Sequence, residues 1–291
     1  MIIDSHCHLD LQENPAGKMI EAMDAGGVNK VVLFATACAN LPSVPEGLLW
    51  LGRTLLQTPL SNVARGMYED ATASQPGKIK TGDKFFDIHV TPDNRPVRDA
   101  LKKFPDRFIG FVFLNPKNNP QVMAQLEQGV REYGMRGVKV HSWFHDYNPS
   151  EALRDVAKGC EERGLPMLIH LGSRPDTGNV QGLIDACPKL KLILAHLGIP
   201  WFDRSWEQAR RYPNVYLDIS GPYLAAGLVA KAVKTLGADK LIYGTDAPYG
   251  LRTKEGKLSY AYSKSWVERL PIADAEKEKM FSGNLLRLLE S

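Results

Sequence analysis

Hydrophobic positions in this chain fall into short unbroken runs, and the stretches between them carry apolar residues at helical spacing. Strand-length runs rich in β-branched residues mark strands buried on both faces of a parallel sheet. They predict strands at Met1–Ser5, Lys30–Ala35, Arg107–Phe113, Gly137–His141, Pro166–His170, Lys191–His196, Asn214–Ser220 and Lys240–Thr245. Helices are predicted at Lys18–Ala25, Arg95–Phe104, Pro120–Tyr133, Ser150–Arg163, Val180–Ala186, Asp203–Arg211, Tyr223–Leu236, Tyr260–Arg269 and Asp274–Leu289. Gly26, Gly134 and Gly164 sit where helices stop, and Ser150 followed by Glu151 reads as a helix start. Strands alternating with helices imply βαβ units. From the fourth strand onward the repeat is about 23–29 residues, which suits an α/β, (β/α)8 TIM barrel of about 250 residues. One long domain over residues 1–291 is expected, distorted by an insertion after strand two, about residues 40–106.

That insertion leaves from the C-terminal end of strand two, the face on which barrels carry their chemistry. It holds Trp50, Arg53, Arg65, Tyr68, Lys84, Phe85 and Phe86, and its own short helices are expected. It reads equally as a lid over a substrate and as a packed excursion or oligomer contact.

Polar residues close several of the hydrophobic runs. His6 and His8 stand two apart at the end of the first, so they share one face. His170, His196 and Asp246 close the fifth, sixth and eighth. One such histidine is an ordinary strand end; five metal-capable residues at strand ends point to a metal site. His6, His8, His170 and Asp246 would supply three neutral imidazoles and an anion, enough to bind one Zn2+ and leave a place for water. Asp246 could also take that water's proton, and His196 could polarise a substrate oxygen. On the fourth strand Lys139 and His141 share a face. Lys139 reads three ways: carboxylated and bridging a second metal, an ammonium for a substrate carboxylate, or a partner of an acid such as Asp4. Arg174 and Arg252 follow strands five and eight and could grip a carboxylate. Trp143, Trp201 and Tyr249 could wall an apolar pocket. His141 and His145 are i, i+4 apart, but Pro149 argues against a helical metal pair.

Composition narrows the classes. The net charge of +3 and the absence of a basic block argue against a nucleic-acid partner. The apolar runs are too short to span a membrane, and Met1 leads directly into a strand, leaving no room for a signal peptide. Cys7, Cys38, Cys160 and Cys187 form no C-x-x-C pair, which fits a reducing, cytoplasmic setting. Cys7, between two histidines, should face away from them.

Taken together, Ile3-Asp4-Ser5-His6-Cys7-His8, Gly137-Val138-Lys139-Val140-His141, Leu168-Ile169-His170, Leu194-Ala195-His196-Leu197-Gly198, Tyr216-Leu217-Asp218-Ile219-Ser220 and Ile242-Tyr243-Gly244-Thr245-Asp246-Ala247-Pro248 resemble the amidohydrolase superfamily. Within it the resemblance is to the amidohydrolase-related family, over nearly the whole chain except the insertion. It implies a distorted TIM barrel with one zinc-like ion, His6, His8, His170 and Asp246 as metal-site residues, and His196 as the catalytic histidine. A homodimer is a common assembly there. Some relatives hydrolyse amides, esters or lactones; others decarboxylate without redox change. The expected function is metal-dependent hydrolysis of a C–O or C–N bond in a small anionic substrate. The alternatives are decarboxylation of an unsaturated or aromatic acid at the same site, and a scaffold that has kept only the fold.

Overall fold

The computed structural model describes residues 1–12, 14–38, 45–71, 74–75, 77–81, 84–249 and 259–290. In chain order the strands are β1 (Ile3–Leu9), β2 (Lys30–Ala35), β3 (Ser74–Gln75), β4 (Lys78–Thr81), β5 (Lys84–Asp87), β6 (Phe108–Gly110), β7 (Val112–Leu114), β8 (Val138–His141), β9 (Met167–His170), β10 (Leu192–Leu194), β11 (Val215–Asp218) and β12 (Leu241–Ile242). Strands β1, β2 and β6 form one parallel arc, and β7 through β12 form a second in sequential order. Backbone bonds join the arcs. On one side the Phe111 amide donates to the Leu33 carbonyl (2.9 Å) and the Val112 amide to that of Gly137 (2.8 Å). On the other, Ser5 donates to Tyr243 (3.0 Å), Asp246 to His6 (2.7 Å) and His8 to Ala247 (2.8 Å). The result is the distorted TIM-barrel arrangement that the alternation predicts.

The predicted third strand is cut in two at Phe111. Its first half ladders onto β2 and its second onto β8. Phe111 is fully buried, and its ring fills the space where a side chain at position 137 would lie, 2.5 Å from an ideal Cβ. Gly137 is thus required by close approach. The eighth strand is shorter than predicted because its last residues bond elsewhere. The Tyr243 amide donates to Met280, and the Asn284 amide group donates to the carbonyls of Ala238 and Leu241.

Two predicted helices are broken within their length. The Asn148 side chain, not Ser150, accepts at the helix start, and the predicted Ser150–Arg163 helix divides into Pro149–Ala152 and Arg154–Glu162. The last helix, Asp274–Leu289, is interrupted by a wide turn at Lys279–Gly283.

The insertion carries helices Glu46–Leu56 and Ser61–Ala71, as expected, and the antiparallel sheet β3-β4-β5, which was not foreseen. Its strands are short and two of the three carry lysine, with no alternating apolar run to announce them. Among the described residues, no helix is long and apolar enough to cross a membrane.

Candidate metal centre

The end of β1 presents His6 and His8, both buried. The turn after β12 presents Asp246 in the left-handed region at φ 61°. Asp4 holds that turn: its carboxyl accepts from the Thr245 amide (2.9 Å), the Thr245 hydroxyl, the His6 amide and the Cys7 thiol. Burial lifts the Asp4 carboxyl to about 6, against the pull of those bonds. Asp4 is therefore not the partner of Lys139. The ammonium of Lys139 lies 3.1 Å from His6 Nε2 and 5.0 Å from the centre of the Phe34 ring. Cys7 turns away from the histidines into the core, as expected from strand alternation.

His196 does not end a strand. β10 stops at Leu194, and His196 and Leu197 both take left-handed backbone, at φ 56° and 57°. Strain of this kind persists only where the surroundings fix it, and it concentrates at functional sites. Asp218, at the end of β11, does the fixing. It accepts from the His196 amide (2.8 Å), the Ser220 amide (3.0 Å), the Ser220 hydroxyl and His6 Nδ1 (2.7 Å). Burial opposes its charge, but His6 and Ser220 outweigh it, and the carboxyl stays well below the usual range.

These contacts settle where the ring protons are. An ionised carboxylate and a carbonyl can only accept. His6 Nδ1 must donate to Asp218, His8 Nδ1 to the Ala35 carbonyl (3.2 Å), and His196 Nδ1 to the Ser220 carbonyl (3.0 Å). Burial, aided by Lys139, pushes His6 down to about 3, and burial also lowers His8. Near neutral pH both rings are then uncharged; His6 Nε2 accepts from the Lys139 ammonium, and His8 Nε2 keeps a lone pair turned to Asp246. Asp246 Oδ1 lies 3.3 Å from His6 Nε2 and 3.4 Å from His8 Nε2. Three acceptors converge, and no proton stands between His8 and Asp246. The Lys139 ammonium serves His6 alone, and a divalent ion would meet all three acceptors at once. The donor set fits a divalent metal.

His196 Nε2 faces Asp246 Oδ2 at 4.0 Å, and His6, His196 and Asp246 offer ligand atoms within 4.8 Å of one another. His170 meets this group through His196, Nδ1 to Nε2 at 3.0 Å. His141 stacks on His170 at 4.0 Å, and its Nδ1 accepts from the Phe144 amide. His145 turns away to the His89 carbonyl. Trp143 lies 5.7 Å from His170, Tyr249 the same distance from His8, and Tyr223 lies 5.3 Å from His196. Trp201 does not face the cluster: its indole donates to the Gly172 carbonyl. Arg174 pairs with Asp146 (2.6 Å) and Asp176 (3.3 Å). Arg252 falls outside the described residues.

Asp218 and Ser220 were visible in the sequence only as part of a strand-end segment with no role attached. The signal that could have found them is the carboxylate two residues before a serine at the close of the seventh run. Tyr223 had none.

The chain belongs to the amidohydrolase family, whose profile matches residues 69–290. Among characterised relatives, the γ-resorcylate decarboxylase of Polaromonas sp. (strain JS666) is 25% identical, over 66% of this chain and 73% of that one. Among solved structures, the 2,6-dihydroxybenzoate decarboxylase from Rhizobium superposes with a TM-score of 0.62 at 17% identity, covering 99% of this chain and 98% of that one. A dihydroxybenzoic acid decarboxylase from Polaromonas sp. JS666, with bound manganese and 2-nitroresorcinol, gives 0.62 at 19% identity, covering 99% and 96%.

Proposed function

We propose that this protein is a divalent-metal-dependent decarboxylase that removes CO2, without redox change, from a small aromatic or unsaturated carboxylic acid. The observation that carries the metal is the convergence of His6 Nε2 and His8 Nε2 on one Asp246 oxygen, at 3.3 and 3.4 Å. His6, His8 and Asp246 hold the cation, and the hydrogen-bonded pair His196–His170 supplies a further imidazole. The choice of reaction rests on the relatives, which are named as decarboxylases. Hydrolysis, the first expectation from the sequence, has no such support, and manganese in a similar fold removes the preference for zinc.

A bound divalent ion supplies Lewis-acid polarisation of a substrate oxygen. The chain supplies the rest. Trp143, Tyr223 and Tyr249 lie against the histidines and offer flat walls to an aromatic ring. Lys139, lowered to about 8 by burial although Asp246 and Asp218 support its charge, offers an ammonium for the substrate's anionic group. When the carbon–carboxylate bond breaks, the electron pair stays on the ring carbon, which must then accept one proton. That proton comes from solvent, and Asp246, an anion at rest with His196 4.0 Å away, is the group placed to take it up and pass it on.

The test is CO2 release from 2,6-dihydroxybenzoate and a panel of related acids, beside a panel of esters, lactones and amides, using protein loaded with Mn2+ or Zn2+. Decarboxylation of one or more acids, lost on chelation and in His6→Ala, is expected. Turnover confined to the ester, lactone and amide panel would restore the hydrolase reading.

A further inference from the structure

Among the described residues, two arginines of the insertion reach the barrel loops beside the centre. The guanidinium of Arg53, buried at 8% exposure, donates to the carbonyls of Pro222 (3.3 Å) and Leu224 (3.4 Å). Arg65, at 9%, donates to the Pro200 carbonyl (3.4 Å) and lies over the Trp201 ring at 4.2 Å. We infer that Arg53 and Arg65 are positioning residues, which fix the loops after β10 and β11 and through them His196 and Ser220.

Both loops contain prolines, which have no amide to offer, and their carbonyls must find donors from outside. A guanidinium with five fixed donors can serve two carbonyls at once, and its flat face can lie on indole. Pro200 is four residues beyond His196 and Pro222 two beyond Ser220. The loops also lean on each other. Gly221, at φ 92°, leaves no room for a side chain: an ideal Cβ would stand 2.7 Å from His196 Nδ1. The Ser220 hydroxyl touches His196 Nδ1 at 2.9 Å. A shift of either loop therefore moves His196.

Trp201 brings in the third loop. Its indole donates to the Gly172 carbonyl (2.8 Å), and Arg204 lies over the same ring at 4.4 Å while donating to the Gly178 carbonyl. Gly172 is two residues beyond His170. The loops that carry His170, His196 and Ser220 are thus tied to one another, and the insertion holds the knot with two buried cations. Its functional consequence rests on the metal reading above; the contact itself does not.

Amide hydrogen exchange on the metal-free protein tests the contact. In Arg53→Ala/Arg65→Ala, residues 197–201 and 219–224 should exchange about 10-fold faster, with helix Arg154–Glu162 unchanged. Arg65→Lys, which keeps a charge over Trp201, should recover part of the loss. Trp50→Ala, on the same helix as Arg53 but 61% exposed, should match the wild type. Chelator competition should then show Mn2+ held about 3- to 10-fold less tightly by the double variant, in keeping with the loss of an outer-shell support. Wild-type exchange in both loops of the folded double variant overturns the inference, as does equal loosening of loops and distant helix. Should the double variant not fold, Arg65→Ala alone is read the same way. Failure of the wild type to take up Mn2+ would count against the metal reading only; the exchange result stands by itself.

Discussion

Polar groups at the barrel rim and in the insertion above it are satisfied in different proportions: the rim joins side chains to one another as well as to carbonyls, and the insertion reaches the barrel loops through carbonyls. At the rim, side chains answer side chains. Asp218 binds His6 and Ser220, Asp4 binds Thr245, and His170 binds His196, all of them buried. In the insertion, two arginines reach down to backbone carbonyls, while Leu48, Trp50, Leu60 and Val63 remain exposed. A rim built from mutual contacts fixes proton positions and so can prepare lone pairs for a cation. A cap built on carbonyl contacts carries no such chemistry; it fixes where loops lie. The two regions should therefore fail differently when they are cut.

The largest failure is expected at Asp246. In Asp246→Asn the amide NH2 can donate to His6 Nε2 or His8 Nε2 and relieve the meeting of acceptors. The metal-free variant should be at least as stable as the metal-free wild type, while Mn2+ affinity falls about 100-fold or more and turnover is lost. Thermal unfolding with and without Mn2+ reads both effects. A variant that binds Mn2+ normally would show that the carboxylate is not a ligand and that the rim's lone pairs serve another purpose.

Asp218→Asn should cost less, about 10- to 100-fold in metal affinity, because it acts on the ring and not on the ion. The amide can no longer accept from both His6 Nδ1 and the His196 amide with a full charge behind it. The ring of His6 is then free to exchange its tautomers. Nitrogen chemical shifts of the imidazoles, measured with and without the substitution, report that directly. An unchanged His6 tautomer with weakened binding would assign the loss to the His196 loop instead.

This contrast also explains what could be read in advance. The rim was legible because its residues terminate hydrophobic runs, and a run's end is fixed by burial: His6, His8, His170 and Asp246 lie where the pattern stops. His196 was located but not its left-handed backbone, which depends on Asp218 22 residues away. Asp218 and Ser220 had no role in the pattern because hydrogen bonds between strands leave no periodic trace. The sheet β3-β4-β5 was illegible since, among its described side chains, Ile79 alone is fully buried. Arg53 and Arg65 stood out as members of the insertion; the structure places both on main-chain carbonyls, an outcome that no local spacing encodes.

The smallest effect is expected at Arg174, which the sequence offered as a grip for a substrate carboxylate. Its guanidinium is already engaged by Asp146 and Asp176, and Asp146 in turn accepts from Lys117. The Arg174 side chain is 37% exposed, so each pair is screened by solvent and contributes little, about 1 kcal/mol or less. Recruiting it to a substrate would require breaking both pairs, with Asp146 left to Lys117. Arg174→Ala should therefore lower the unfolding temperature by no more than a few degrees and change KM by about 3-fold or less. Steady-state kinetics on any acid found to be a substrate decides the matter. A KM raised 10-fold or more at unchanged kcat would mean that Arg174 leaves its acidic partners to bind the substrate. The division would then fail: a residue of a loop beyond the rim, tied in this structure to its own neighbours, would be reading the ligand.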